Sequence, residues 1–387
     1  MAAHEPFSAH GLGLEPVAAQ WPPLQADDVA QLLRGYPQLG APLQLDWHSP
    51  RPFSAASLVQ TQNTRVFVKR HPQQVRNPAW LREEHRFMAH LRQRGVPVTE
   101  VLADRDGDTA IAQGKWTYEV HALAEGQDLY RDALSWTPFL SQHQAWSAGQ
   151  SLARLHRGAA DFQAPPRQAQ VLLANFKLCS GPDLAASLHT FIQRDPALAA
   201  YMDRQPWRDE LLPLLLPWHR PLQPLLARQP GLWTHNDWHG SNLLWSSSTA
   251  DAQVSGVLDF GLADRTFALF DLATAIERNA IPWLELDSGG SAPAALDDID
   301  ALLAGYASVL PLSAAELLTL AALLPLVHVD FALSEIAYFN GVVGCAASAD
   351  IAYKAYLIGH TRWFSTDAGH CLLEHLRRRA ATRSQGS

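Results

Sequence analysis

Thr234-His-Asn-Asp-Trp-His-Gly-Ser-Asn-Leu-Leu-Trp245, followed shortly by Val257-Leu-Asp-Phe-Gly261, is the stretch that decides how this chain is read. It sets Asp237 five residues before Asn242 in a short polar loop, and puts Asp259 at the end of an apolar run. Phosphoryl transfer to an alcohol needs those groups: a carboxylate on the incoming hydroxyl, plus an amide oxygen and a second carboxylate on magnesium. The plainer reading is a polar turn between two strands, capped by His235 and Asp237. Against it stands the upstream sequence, which supplies further parts of such a site independently.

Arg65-Val-Phe-Val-Lys-Arg70 alternates as a strand, with Val66 and Val68 on one face and Phe67 and Lys69 on the other. A lysine in so apolar a strand is ordinarily a solvent-facing edge residue. The charged helix expected over 80–91 changes that reading. It carries Leu81, Glu84, Met88 and Leu91 at 3-4-3 spacing, which turns Glu84 along the buried stripe and Glu83 toward solvent. A carboxylate on that stripe needs a cation, and Lys69 is the expected one. So held, Lys69 would grip the α- and β-phosphates of a nucleotide.

The run Ser49-Pro-Arg-Pro-Phe-Ser-Ala-Ala-Ser57 lies between strands expected at 42–47 and 58–61, and it contains no glycine. Either it caps phosphates with the hydroxyls of Ser54 and Ser57 and nearby backbone N–H groups, or it is an ordinary hairpin turn. Further strands are expected at 95–102, 109–112 and 118–123. Glu125-Gly126 ends the last and opens a connection whose backbone would meet an adenine edge, with Ala122 C=O and Ala124 N–H as the expected contacts. His156, on a helix over 144–157, reads as a packed helix residue.

The many prolines between 160 and 230, Pro165, Pro166, Pro182, Pro196, Pro206, Pro213 and Pro217 among them, predict several short helices. A hairpin from 243–245 to 254–258 should bring Asn242 and Asp259 together. Asp271 either caps a helix or braces the catalytic loop. Residues 286–294, rich in Gly, Ser and Pro, read as a mobile loop or lid, and 297–380 as helical. The acceptor candidates are Glu285, Asp287, Asp330, Glu335 and Tyr338. Each has an equally good reading as a solvated face or a cap, and Trp283 and Tyr338 read first as buried packing.

At 387 residues and 47% hydrophobic composition the chain has enough material for two lobes. A net charge of −8 argues against nucleic acid and mildly favours a neutral or cationic small substrate. The three cysteines, Cys179, Cys345 and Cys371, are far apart and lack any Cys-x-x-Cys, so they read as reduced thiols in a cytoplasmic protein. The first residues carry no basic flank with an apolar run, and no signal peptide is expected. The longest apolar run, 317–329, is interrupted by Pro325 and His328 and is too short to cross a membrane.

Taken together, Val66-Phe-Val-Lys69, Glu84, Leu152-Ala-Arg-Leu-His156, His235-Asn-Asp237 with Asn242, Leu258-Asp259 and Phe270-Asp-Leu-Ala273 resemble the aminoglycoside phosphotransferase / choline kinase family, small-molecule relatives of the protein kinases. The resemblance implies an α+β, protein-kinase-like bilobal fold. Its N-lobe is a five-stranded antiparallel sheet with one helix (41–123, after an appendage at 1–40), and its C-lobe is mainly helical (124–387). It also implies an ATP- or GTP-dependent, Mg2+-dependent transfer to a hydroxyl of a small molecule of aminoglycoside, amino alcohol, homoserine or sugar type. Asp237 would be the base, with His235 steadying the loop. Asn242 and Asp259 would hold the metal, and Lys69 with Glu84 the nucleotide. No Ala-Pro-Glu segment follows, which argues against a conventional protein kinase. A weak likeness of residues 80–87 to stress-response protein kinases, and a nucleotide-binding regulatory pseudoenzyme, are the alternatives.

Overall fold

The structure is a computed structural model that describes residues 8–10, 16–18, 21–49, 53–134, 136–168, 171–287 and 293–385. The chain is α+β and divides into two compact units. One is Met1–Glu125 with Arg167–Ala169 and Gly256–Leu258; the other is Gly126–Pro166, Gln170–Ser255 and Asp259–Ser387.

The first unit is built on an antiparallel sheet of five strands, β1 (Pro42–His48), β2 (Ala55–Thr61), β3 (Arg65–Pro72), β4 (Ile111–Gln113) and β5 (Trp116–Ala122), in the order β1-β2-β3-β5-β4. The predicted alternation along β3 holds. Val66 and Val68 pack with Val59, Tyr118 and Val120 against Val29, Leu32 and Leu33 of helix α1 (Ala26–Leu33). Phe67, Lys69 and His71 therefore take the opposite face, where Lys69 lies directly across from Glu119 of β5.

Helix α2 (Pro78–Gln93) starts where Asn77 Oδ1 accepts from Trp80 N at 2.9 Å and Pro78 supplies the first helical residue. Its buried stripe includes Leu81, Glu84, Met88 and Leu91, as the spacing predicts. The run 95–102 is not a strand. It makes single bridges only, Val98 to Val257 and Val101 to His121, because Pro97 removes a donor that a ladder needs.

The second unit is mainly helical. Contrary to the expectation of short pieces throughout 160–230, residues Trp207–Leu226 form one helix with Pro213, Pro217, Pro221 and Pro224 inside it. Spaced by four, four and three, all four prolines fall on the exposed face, while Leu211, Leu215, His219 and Leu222 hold the buried one. The carbonyls that lose their N–H partners thus face water, which takes over the hydrogen bonds. The apolar run near residue 317 is also longer than expected. The helical stretch Ala314–Val343 is long and apolar enough to cross a membrane by composition, but its most apolar 18-residue window is 89% buried inside the protein, so it serves as core.

Helices α3 (Gln142–Ala159) and α5 (Leu296–Ala307) cross at two glycines. A Cβ on Gly149 would overlap the Leu302 carbonyl, and one on Gly305 the Trp146 carbonyl. Exchange of an exposed helical glycine for alanine raises stability by about 0.5–1 kcal/mol. Here Gly149→Ala should do the reverse, lowering stability by at least about 1 kcal/mol, the usual cost of forcing atoms into a packed contact. Urea unfolding of the two proteins side by side checks this.

Candidate active site

The loop around Asp237 is shaped by a helix that follows it in sequence, α4 (Ala268–Ala280), every residue of which from Leu269 onward is buried. Asp271 on its first turn accepts from both His235 N and Asn236 N, each at 2.8 Å. His156 Nε2 meets the same carboxylate at 3.0 Å, and its Nδ1 meets Tyr306 Oη at 2.9 Å. Of the two roles open to Asp271, the structure gives it the bracing of the loop, and His156 braces Asp271. Two turns on, Asn279 accepts from Gly240 N at 3.1 Å and donates to Trp238 O at 2.8 Å. The loop is thus fixed at both ends by one buried helix.

Inside that frame Asn236 takes a left-handed conformation (φ 64°), which asparagine tolerates better than most residues. Its side chain accepts from Thr234 Oγ at 2.7 Å and donates to Leu262 O at 3.1 Å. The His235 ring is wholly buried, edge-on to Trp238 and Phe260, and Asp237 N reaches its Nδ1 at 3.2 Å. These contacts make it a support for the backbone of the loop.

Asp237 itself is about a fifth exposed (20%). Asn242 turns its amide nitrogen onto it, at 2.9 Å from the main-chain oxygen and 3.1 Å from Oδ2, which leaves the amide oxygen facing away from Asp237. His239 Nε2 lies 3.6 Å and Arg278 Nη2 3.8 Å from the carboxylate. Burial pushes the Asp237 carboxyl up, but His239, Arg278 and His235 outweigh it and hold it well below the usual range. It is therefore a carboxylate at every physiological pH. Asn242 opens the strand Leu243–Trp245, and Asp259 follows Val254–Val257, the other arm of the hairpin closed by Ser246 N donating to Gln253 O at 2.8 Å. The start of one arm and the end of the other lie at the same end of a hairpin, as the sequence predicts. Asp259 is also left-handed (φ 52°), with Oδ1 accepting from Gly261 N at 3.3 Å. Strain of that kind persists where the surroundings impose it.

The sequence reading paired Lys69 with Glu84, but the structure puts a different cation beside that carboxylate. Arg167 Nη2 meets Glu84 Oε2 at 3.2 Å, and both side chains are buried. Neighbouring Glu83 accepts from Gln168 N at 3.1 Å. Across from Lys69, Glu119 is ringed by His71 (2.9 Å), His85 (2.8 Å) and His121 (3.0 Å). Burial raises its carboxyl, and the three imidazoles outweigh burial and hold it well below the usual range.

Ser57 is not in a loop. It lies within β2, fully buried, with its hydroxyl 2.6 Å from His48 Nδ1, so that hydroxyl is already engaged. Ser54 is half-buried just before the strand, and residues 50–52 lie outside the described residues. Ala122 pairs with Val66 and donates its N–H to Glu100 O at 2.9 Å, and Ala124 is half-buried beyond the strand.

Of the acceptor candidates, Asp330, Glu335 and Tyr338 are buried and Glu285 is exposed. The Asp287 side chain lies outside the described residues, as does most of the proposed lid, 288–292. Arg278 and Asn279, also missed, carried a signal: polar side chains recurring in a helix that is otherwise wholly apolar.

A model of the phosphotransferase enzyme family matches residues 49–312, more than half of the chain. The chain belongs to this family. It is an enzyme, a phosphotransferase with an alcohol group as acceptor. Its fold is also that of solved kinases at low identity. A microcompartment-associated aminopropanol kinase is 19% identical, with a TM-score of 0.58 over 91% of this chain and 98% of its own. An aminoglycoside phosphotransferase from Alicyclobacillus acidocaldarius is 16% identical, with a TM-score of 0.54 over 94% of this chain and 98% of its own. An amicoumacin kinase solved with AMP-PNP, Ca2+ and Ami is 13% identical, with a TM-score of 0.54 over 88% of this chain and 92% of its own. An uncharacterized protein of Deinococcus radiodurans is 29% identical over 291 residues, 70% of either chain.

The bracing of the loop gives a prediction for this phosphotransferase. Asp271→Asn keeps the shape of the side chain but replaces one accepting oxygen by a donor facing a backbone N–H. Turnover should fall at least ~10-fold with melting lowered, since a buried donor left unmet costs ~1–3 kcal/mol. Steady-state kinetics beside a thermal melt reads both.

Proposed function

We propose that this phosphotransferase moves the γ-phosphoryl group of ATP to a hydroxyl of a small molecule, in a magnesium-dependent reaction with Asp237 as the base. The observation that carries the reading is Asp237 held as a carboxylate in a loop whose backbone Asp271 fixes on one side and Asn279 on the other. A base of that kind needs no raised pKa, because in a loose transition state the hydroxyl proton leaves late. Its task is to orient the hydroxyl by accepting its hydrogen bond, and then to take the proton as the new O–P bond forms.

Asn242 and Asp259 offer an amide oxygen and a carboxylate, both hard donors, and no thiolate or imidazole is needed with them. That donor set fits magnesium. When bound, the ion supplies positive charge against the β- and γ-phosphate oxygens. Lys69 would offset charge on the α- and β-phosphates, with the backbone at Ala122 and Ala124 offered to the nucleobase. Electrostatic positioning of this sort is most of what phosphoryl transfer requires. The aminopropanol, aminoglycoside and amicoumacin kinases that share the fold support a small acceptor over a protein one.

Asp237→Ala should retain nucleotide binding, read as a thermal shift with MgATP, while losing at least ~100-fold in acceptor-dependent ADP release, the scale of losing a general base. Unchanged turnover would remove Asp237 from the role.

A further inference from the structure

Beside Asp237, and wholly within the second unit, lies a group of buried polar side chains that the reaction as derived so far does not use. Arg278 is its centre. The guanidinium sits 5.7 Å from the Trp136 ring, 5.1 Å from Phe331 and 5.8 Å from Tyr356, and those of Trp136 and Tyr356 are 5.5 Å apart. Glu335 lies one helical turn after Phe331, on the helix Val329–Ala337, and interacts electrostatically with Arg278 and with Tyr356. Four polar atoms in this cluster are buried with no hydrogen-bond partner among the described residues: Trp136 Nε1, Arg278 Nε, Tyr356 Oη and Glu335 Oε2. All four residues are more than nine-tenths buried.

Orphaned buried polar atoms are uncommon, and three of them gathered around a guanidinium whose own Nε is also unmet call for a ligand. The kind of ligand follows from what is missing. Trp136 and Arg278 can only donate, and Tyr356 has a proton to give, so they ask for an acceptor group beside a positive charge. Glu335 asks for the opposite. Among the described residues it forms no ion pair and its Oε2 is unmet, and burial pushes its carboxyl up to about 8 against the pull of Arg278. Glu277, with Oε2 3.6 Å from Arg278 Nε, is raised in the same sense. Three carboxyl groups, Asp237, Glu277 and Glu335, thus share one guanidinium.

An amine alone would satisfy Glu335 and leave the three donors unmet. A carboxylate alone would meet the donors and add negative charge to a cluster already short of positive. A ligand bearing both leaves nothing unpaired.

We propose that Arg278, Tyr356, Trp136 and Glu335 form the acceptor-recognition site, and that its ligand is an α-amino acid with a side-chain hydroxyl. The carboxylate accepts from Arg278, Tyr356 and Trp136, and the ammonium donates to Glu335 and faces the aromatic walls. With Arg278 Nη2 3.8 Å from Asp237, the side-chain hydroxyl of that amino acid is the one brought to the base. The step balances as a phosphomonoester synthesis: the hydroxyl oxygen bonds the γ-phosphorus of ATP, the bond to the β,γ-bridging oxygen breaks, ADP leaves, and the hydroxyl proton passes to Asp237 and then to solvent. This assignment rests on the function proposed above.

The test is ADP release by the full-length protein with MgATP, using matched sets of acceptors. Each hydroxy amino acid (serine, threonine or homoserine) is compared with its analogue lacking the carboxylate and its analogue lacking the amine. For homoserine these are 3-aminopropan-1-ol and 4-hydroxybutanoate. At least one amino acid should exceed both of its analogues by ~100-fold or more in kcat/KM, since a site built to hydrogen-bond a group rejects ligands that lack it. Glu335→Gln should narrow the preference over the des-amino analogue, and Tyr356→Phe that over the des-carboxy analogue, each by ~10-fold and each without the other.

An amino alcohol or aminoglycoside used as well as any amino acid overturns the assignment and leaves the phosphotransferase reading standing. Failure of every amino acid to stimulate turnover overturns it too. Acceptor-dependent ADP release equal in wild type and Asp237→Ala would instead count against the underlying reading of the base.

Discussion

Everything in the second unit that bears on chemistry hangs from a single carboxylate. Asp271 is wholly inside the protein, where an ion without partners would cost several kcal/mol. It is tolerated because two backbone N–H groups of the catalytic loop and one imidazole surround it. The same three bonds that make the charge tolerable fix the loop. A backbone pinned by its own N–H groups cannot rotate His235 or Asn236 without stranding that charge, so Asp237, the next residue, is presented in one orientation. Preorganisation of this sort is what a reaction dominated by positioning needs.

Helix Ala268–Ala280 carries the arrangement further. Asp271, Arg278 and Asn279 project from one buried helix toward one loop, so its two ends and its carboxylate are referred to a common rigid element. The electrostatics follow from that packing. Asp237 stays ionised because positive groups crowd it. Glu335, more deeply buried, is pushed up by that burial, against a pull from Arg278 that it shares with Asp237 and Glu277. Two buried carboxyl groups near one another are thereby pushed in opposite directions, which is how environments divide roles between like groups.

What the sequence made legible was local. The spacing of Asp237 to Asn242, the alternation along 65–70 and the 3-4-3 stripe that buries Glu84 all depend on neighbours within a few residues, and all three hold. What it hid depends on long-range partners. Glu84 finds Arg167, 83 residues away, and no periodicity announces such a pair. The hydroxyl of Ser57 is taken by His48 because a strand begins three residues earlier than the apolar pattern indicates. Four prolines looked like breaks and are instead a solvent-facing stripe, legible only once the buried face of that helix is known. Arg278 and Asn279, late in helix Ala268–Ala280, were missed because their partners come together only once the loop is placed beside them.

The central claim is that this braced loop offers Asp237 to the acceptor and Asn242, with Asp259, to the metal. Crystals grown with AMP-PNP and Mn2+ test it most directly through the anomalous signal of manganese. The prediction is one strong peak bonded to Asn242 Oδ1 and a carboxylate oxygen of Asp259, at about the 2.1 Å of a hard divalent cation, with Asp237 outside the coordination shell and Asp271 still holding His235 N and Asn236 N. A peak on Asp237 in place of Asn242, or a nucleotide bound with the metal on neither Asn242 nor Asp259, would contradict it.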